Sequence, residues 1–96
     1  MADTPKYYVT TAIDYINGVP HLGHAYEKVG ADALTRYKRM AGYEAWLVVG
    51  SDEHSQSVAK EAAAKGVDPM AYADSMVPRW ADIFHRLQVD YSEFVR

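Results

Sequence analysis

Two short aromatic and β-branched runs bracket a single stretch of helical spacing, and that order restricts the chain to few folds. The first run is Tyr7-Tyr8-Val9-Thr10-Thr11-Ala12 and the second is Ala45-Trp46-Leu47-Val48-Val49. Both read as strands buried on both faces. Asn17-Gly18 and Pro20 mark the turn after the first. From there Leu22, Tyr26, Val29, Ala33, Tyr37 and Met40 recur in steps of four and three, a helical period, and Gly42 stands where a left-handed cap ends a helix. Strand, helix and strand at this length make a βαβ unit, so the strands are expected to be parallel with a right-handed crossover. Gly50-Ser51-Asp52 is expected to stop the second strand, and a helix over about 55–65 follows, closed by Gly66. Asp68-Pro69, a cap followed by proline at the first helical position, opens another helical region. Pro78 is expected to split that region, leaving a longer second piece with Trp80, Ile83, Phe84 and Leu87, and residues 91–95 suggest a third strand. The predicted fold class is α/β, the first half (β-α-β-α-α) of a doubly wound parallel sheet. A sheet this thin has exposed edges, so a partner surface is expected.

Composition narrows the partners. The 96 residues fit one domain or part of one, and the formal charge of −3 argues against an autonomous nucleic-acid binder, which needs a basic face. Arg36, Lys38 and Arg39 sit where a helix C-terminus favours cations. Without cysteine there is no disulfide and no thiolate zinc site. No apolar run approaches membrane-spanning length and no signal-peptide core is present, so no membrane association and a cytoplasmic location are expected.

Three places carry groups suited to chemistry. His21 and His24 lie three apart on an opening helical turn, sharing a face, where imidazoles and backbone N–H groups together suit a phosphate. Gly23 between them leaves room for a flat ring or ribose to approach the backbone. The competing reading is one capping and one surface histidine; metal binding lacks an evident third ligand. Asp52 stands at the carboxyl end of the second strand, on the rim where open α/β sheets bind ligands, and an aspartate there suits an ammonium group. A turn or cap aspartate is the alternative. Glu53 and His54 read as a solvated loop pair, Ile13 and Tyr15 as pocket wall or ordinary packing, and His85 as structural.

The stretch Tyr8-Val-Thr-Thr-Ala-Ile-Asp-Tyr-Ile-Asn-Gly-Val-Pro-His-Leu-Gly-His-Ala-Tyr26 resembles the opening of the class I aminoacyl-tRNA synthetases, with their His-x-Gly-His motif at His21 to His24. Its Thr-Thr-x-Ile-x-Tyr-x-Asn-Gly lead-in is similar to that of the methionyl-tRNA synthetases. So is Gly50-Ser51-Asp52-Glu53-His54, against that family's Gly-Thr-Asp-Glu-His-Gly. The resemblance runs from about Tyr7 onward. It implies a Rossmann-like fold, with residues 1–96 forming the N-terminal half of a catalytic domain, and hence a fragment. The implied activity is ATP-dependent activation of methionine to methionyl-adenylate and its ligation to tRNA(Met), with Mg2+ accompanying ATP.

By the same resemblance His21 and His24 bind ATP and stabilise the transition state. Gly23 packs against adenine, Asn17 lies in the ATP-side loop, Asp52 receives the methionine ammonium, and Ile13 and Tyr15 line the methionine site. Ser51 replaces the family threonine. Ser55 replaces a glycine, where it suits a helix cap. The family's zinc-bearing connective insertion, its Lys-Met-Ser-Lys-Ser loop and its anticodon-binding domain have no counterpart in these residues, so zinc is expected only in that insertion. The implied partners are methionine and tRNA(Met), with the exposed sheet edge docking the other half or a partner chain. The alternatives are another class I synthetase, a different nucleotidyl transferase with the same histidine motif, and a non-catalytic nucleotide-binding or interaction module.

Overall fold

A computed structural model describes residues 3–96. The elements run β1 (Lys6–Thr10), β2 (Asp14–Tyr15), α1 (Leu22–Met40), β3 (Glu44–Asp52), α2 (Gln56–Ala64), α3 (Pro69–Arg86) and β4 (Glu93–Val95). All pairings are parallel, and β3 is central. β1 runs along it from Lys6 opposite Glu44 to Thr10 opposite Val48, and β4 pairs with it from Val48–Glu93 to Gly50–Val95. β2 pairs Asp14 with Ser51 and Tyr15 with Asp52. Between Thr10 and Asp14 the chain takes one residue more than β3 does over the same span, so β1 and β2 are one strand interrupted by a bulge.

Side chains alternate along β3. Ala45, Leu47, Val49 and Ser51 are buried, whereas Trp46 is exposed. The buried face meets the helices in one core with Val9, Ile16, Val58, Ala62, Tyr72, Met76, Trp80 and Phe84. The other face stays open, with Tyr8 and its register partner Trp46 in ring contact at 6.4 Å. Neither strand is therefore buried on both faces: β3 leaves Trp46 exposed, and β1 lies at the edge, with Val9 alone of its five residues buried. Nor does β3 stop at Gly50. It continues through Asp52, because β2 and β4 supply partners beyond the bulge. The third strand exists, as β4.

The helix boundaries follow their caps. Ser55 Oγ accepts the Val58 N–H at 3.2 Å, and Asp68 Oδ2 accepts those of Met70 and Ala71. Gly42 and Gly66 take φ of +96° and +67° just past their helices, where a side chain would be strained. Gln88 does the same after α3 at φ 58°, its carbonyl held by Arg36 Nη2 at 2.6 Å. Pro78 does not split α3, which runs unbroken through it. The ring removes one backbone hydrogen bond, but Tyr72, Ala73 and Met76 before it and Trp80 and Phe84 after it enter the same core.

α1 meets the sheet through polar side chains. Its buried residues are Lys28, Asp32 and Thr35, while Leu22, Tyr26, Val29, Tyr37 and Met40, whose spacing marks the helix, face outward. Each buried group has a partner: Thr35 Oγ1 donates to the Ala31 carbonyl at 2.7 Å, and Asp32 Oδ1 accepts the Asp90 N–H at 2.8 Å. Arg39 reaches the Ala45 carbonyl and Asp90, and Lys38 lies 4.6 and 4.7 Å from the Tyr7 and Tyr43 ring centres. The three cations thus tie α1 to its neighbours besides complementing its dipole.

A Cβ on Gly50 would fall 2.5 Å from the Val95 carbonyl oxygen and 3.1 Å from Ile13 Cγ2. The absent side chain lets the flanking segments close over β3. Gly50→Ala is expected to cost about 1–3 kcal/mol and to detach β4, read as a lower thermal midpoint with faster amide exchange at Val95. An unchanged midpoint would show that β4 contributes nothing there.

Candidate functional site

The site is built on the turn between β2 and α1. His21 is the cap of α1, with extended backbone, and its Nδ1 accepts the Gly23 N–H at 3.0 Å. In return His24 Nδ1 accepts the His21 N–H at 3.1 Å. The rings stack with centres 3.8 Å apart. Two orphan donors of the helix end are thereby satisfied by imidazoles, in the manner of a capping box. A ring nitrogen that accepts an N–H carries no proton, so both rings are Nε2–H tautomers. Neither Nε2 has a protein partner among the described residues. The competing reading of His21 as a cap is thus correct, and it is compatible with function. The sequence-based expectation that free backbone N–H groups would face a phosphate is modified: two of them are taken by the rings, which offer Nε2–H groups instead.

Gly23 has a further reason to be glycine. A Cβ there would lie 2.9 Å from His21 Cε1, so the folded-back ring needs its absence. Burial pushes the His24 pKa below its ordinary value, aided by neighbouring His21 and Lys28 and opposed by Asp14 and Glu27. A neutral imidazole is what the cap requires.

An open cleft of about 440 Å³ is lined by Ile13, Asp14, Tyr15, Asn17, Gly18, Val19, His21, His24 and Trp80. It gathers five of the seven residues singled out from sequence. Asp52 is not among its walls. It is half-buried, it makes no ion pair among the described residues, and its register partner is Tyr15, which places the two on the same face of the sheet. Ile13 reaches over Gly50 on that open face too, and both Ile13 and Tyr15 are more than half exposed. Ile13, Tyr15 and Asp52 therefore form one group on the open face, with the histidine pair at its rim. A larger depression between α2 and α3, about 540 Å³, shares Asn17, Gly18 and Val19 as a wall but holds none of the histidines.

Two expectations near the site need correcting. Glu53 is no solvated loop residue: it accepts from Ser51 Oγ at 2.7 Å and from Arg96 at 2.8 and 2.9 Å, and the guanidinium holds its carboxyl below the usual range. His85 is exposed on α3 and supports nothing in the core. His54 is exposed, as expected of a loop residue.

Three site residues escaped sequence reasoning. Trp80, buried on α3, donates from Nε1 to the Gly18 carbonyl at 3.0 Å and sets its ring edge against His24 at 4.7 Å. Lys28, fully buried, lies 2.9 Å from Asp14 Oδ2 and donates to the Ala12 carbonyl at 3.1 Å. The signal was present: an aspartate sits between Ile13 and Ile16 in an apolar run, and a lysine sits one helical turn after His24.

Two outcomes follow. Gly23→Ala should displace the His21 ring and forfeit the cap, costing about 0.5–2 kcal/mol of stability; a thermal midpoint within error of the parent would refute the packing argument. The depressed His24 pKa means that the unfolded chain takes up a proton first on acidification. Stability should thus be full above about pH 6.5 and fall as the pH drops from there through the folded value. Thermal unfolding between neutral and mildly acidic pH checks this, and a His24→Asn variant should flatten the decline.

The comparisons agree with this geometry. Residues 7–96 match the family model described as tRNA synthetases class I (M). A methionine–tRNA ligase from Streptomyces coelicolor is 44% identical over 91 residues, covering 94% of this chain and 17% of the relative. One from Deinococcus radiodurans is 42% identical over 92 residues, covering 95% and 14%. The structure of Mycobacterium tuberculosis methionyl-tRNA synthetase in complex with methionyl-adenylate superposes with a TM-score of 0.92 at 39% identity, over 98% of this chain and 18% of that one. The chain thus spans under a fifth of the length of these relatives. With paired imidazoles capping α1 at the rim of a parallel sheet and a family match over nearly its whole length, this chain belongs to the class I tRNA synthetases of the methionyl group.

Proposed function

We propose that this chain supplies the histidine-motif half of a site that activates methionine with ATP, forming methionyl-adenylate for transfer to tRNA(Met). The observation that carries the reading is the pair of Nε2–H donors, fixed in tautomer by the reciprocal cap, in the cleft that Ile13 and Tyr15 also line. In this reading the methionine carboxylate attacks the α-phosphorus in line and pyrophosphate leaves. No enzyme nucleophile is required, so catalysis is positioning plus stabilisation of developing phosphate charge. His21 and His24 donate to phosphate oxygens as neutral groups, helped by the positive end of the α1 dipole. Gly23 and Asn17 border the nucleotide. Asp52 accepts the methionine ammonium, while Ile13 and Tyr15 wall the apolar side chain.

Mg2+ in this reading accompanies the phosphates of ATP. The relatives' remaining length would supply the other wall of the site and the tRNA-binding surface. The open sheet face around Tyr8 and Trp46 is where that remainder, or a partner chain, is proposed to pack. No helix among the described residues is long and apolar enough to cross a membrane; a cytoplasmic location is part of the proposal.

The test is methionine-dependent ATP–pyrophosphate exchange by this chain joined to the remainder that completes the site. Exchange should require methionine, and Asp52→Ala should raise the methionine KM about 10–100-fold, the loss of one charge-assisted contact. His21→Ala should lower kcat. Exchange supported by another aliphatic amino acid would reassign the substrate. Nucleotide binding without amino-acid-dependent exchange would favour a non-catalytic module.

A further inference from the structure

Among the described residues Lys28 is the one cation that is completely buried, and it stands at a junction of three elements. Its ammonium meets the Asp14 carboxylate at 2.9 Å, the Ala12 carbonyl at 3.1 Å and the Glu27 carboxylate. The Ala12 and Glu27 contacts are hydrogen bonds, and the Asp14 contact is an ion pair. The Phe84 ring of α3 lies beneath it, with its centre 5.9 Å from Nζ. Ala12 belongs to the bulge that separates β1 from β2, and Asp14 is the first residue of β2. His24 is one helical turn before Lys28 on α1.

We propose that Lys28 is a positioning residue, whose ammonium ties the bulge to α1 and so fixes where Ile13 and Tyr15 stand relative to the histidine pair. The inference rests on the functional reading above for its consequence, and on the ion pair alone for its geometry. A bulge has no ladder of its own to fix it. Here the one long-range backbone bond in the break is Thr11 N–H to the Val48 carbonyl, at 3.3 Å. Lys28 adds a second anchor, at the Ala12 carbonyl of the bulge and the Asp14 carboxylate that follows it. The pair is also a costly way to obtain stability alone, since a buried ion pair is commonly replaceable by neutral groups without loss. Asp14 Oδ2 has Lys28 within ion-pair reach but no hydrogen bond of good geometry, and Asp14 lines the cleft. What the pair contributes beyond folding is direction: the carboxylate and the Ala12 carbonyl can approach Lys28 only with the bulge in this path.

The test compares Lys28→Met, Asp14→Asn and the double variant Lys28→Met/Asp14→Asn. Lys28→Met leaves a buried carboxylate without its cation and should lower the thermal midpoint, and the double variant should recover most of that loss. A merely structural role ends there. Positioning predicts that the double variant, though stable, keeps two defects. Amide hydrogen exchange over residues 11–16 should stay at least about ten-fold faster than in the parent, with β3 unchanged. In methionine-dependent pyrophosphate exchange kcat should stay about 10–100-fold down, with KM for ATP little changed. A double variant that regains parental exchange at residues 11–16 overturns the proposal, whatever its activity. Should the parent, joined to the remainder that completes the site, show no methionine-dependent turnover, the functional reading fails, and the amide measurement on this chain still decides the role of Lys28.

Discussion

The reciprocal cap between His21 and His24 is the contact on which the rim of this sheet depends. Each ring uses Nδ1 to hold a backbone N–H of the helix that carries it. The geometry of the helix start, the tautomer of both imidazoles and the direction of their free donors are therefore one constraint. Gly23 is part of it, since a Cβ would strike the His21 ring. Trp80 closes it from the far side, bracing the Gly18 carbonyl and the edge of His24 from α3. A residue far along the chain thus helps to shape the turn where the site begins.

Below the rim, α1 is held by polar contacts more than by apolar packing. Lys28, Asp32 and Thr35 face inward, and each is matched to a carbonyl, a carboxylate or a backbone N–H. Such contacts fix rotation and translation of the helix more narrowly than apolar packing does, because a small slip leaves a buried group unpaired. The apolar residues of the same helix are left outward. Positional accuracy at the histidine pair and an uncovered outer surface are two consequences of this one arrangement.

Much of this was legible in the sequence where local chemistry decides. Ser55, Asp68-Pro69, Gly42 and Gly66 announced their caps, and the strand–helix–strand order gave the parallel pairing. Period alone did not tell which face of α1 turns inward, since a buried lysine is readable only once its carboxylate is found. Asp14, the first residue of β2, is turned inward by the bulge before it, and that bulge is set by pairing along β3. Pro78 was expected to break α3 because its local cost is certain, whereas the burial of Trp80 and Phe84 that offsets it is set by tertiary packing. Of the candidate site, the motif residues were found by pattern and the residues that orient them were not. The latter act through contacts distant in sequence, such as Trp80 with Gly18.

The central claim is that both imidazoles are Nε2–H tautomers held by their own helix. Nitrogen-15 NMR of the histidine side chains at neutral pH reads this directly. The account predicts an unprotonated, acceptor-type Nδ1 and a protonated Nε2 for His21 and His24 alike, with slowed exchange of the His21 and Gly23 amide protons. A protonated Nδ1 on either ring, or rapid tautomer averaging with unprotected amides, would contradict it: the cap would not exist, and the paired donors at the rim would have no fixed direction.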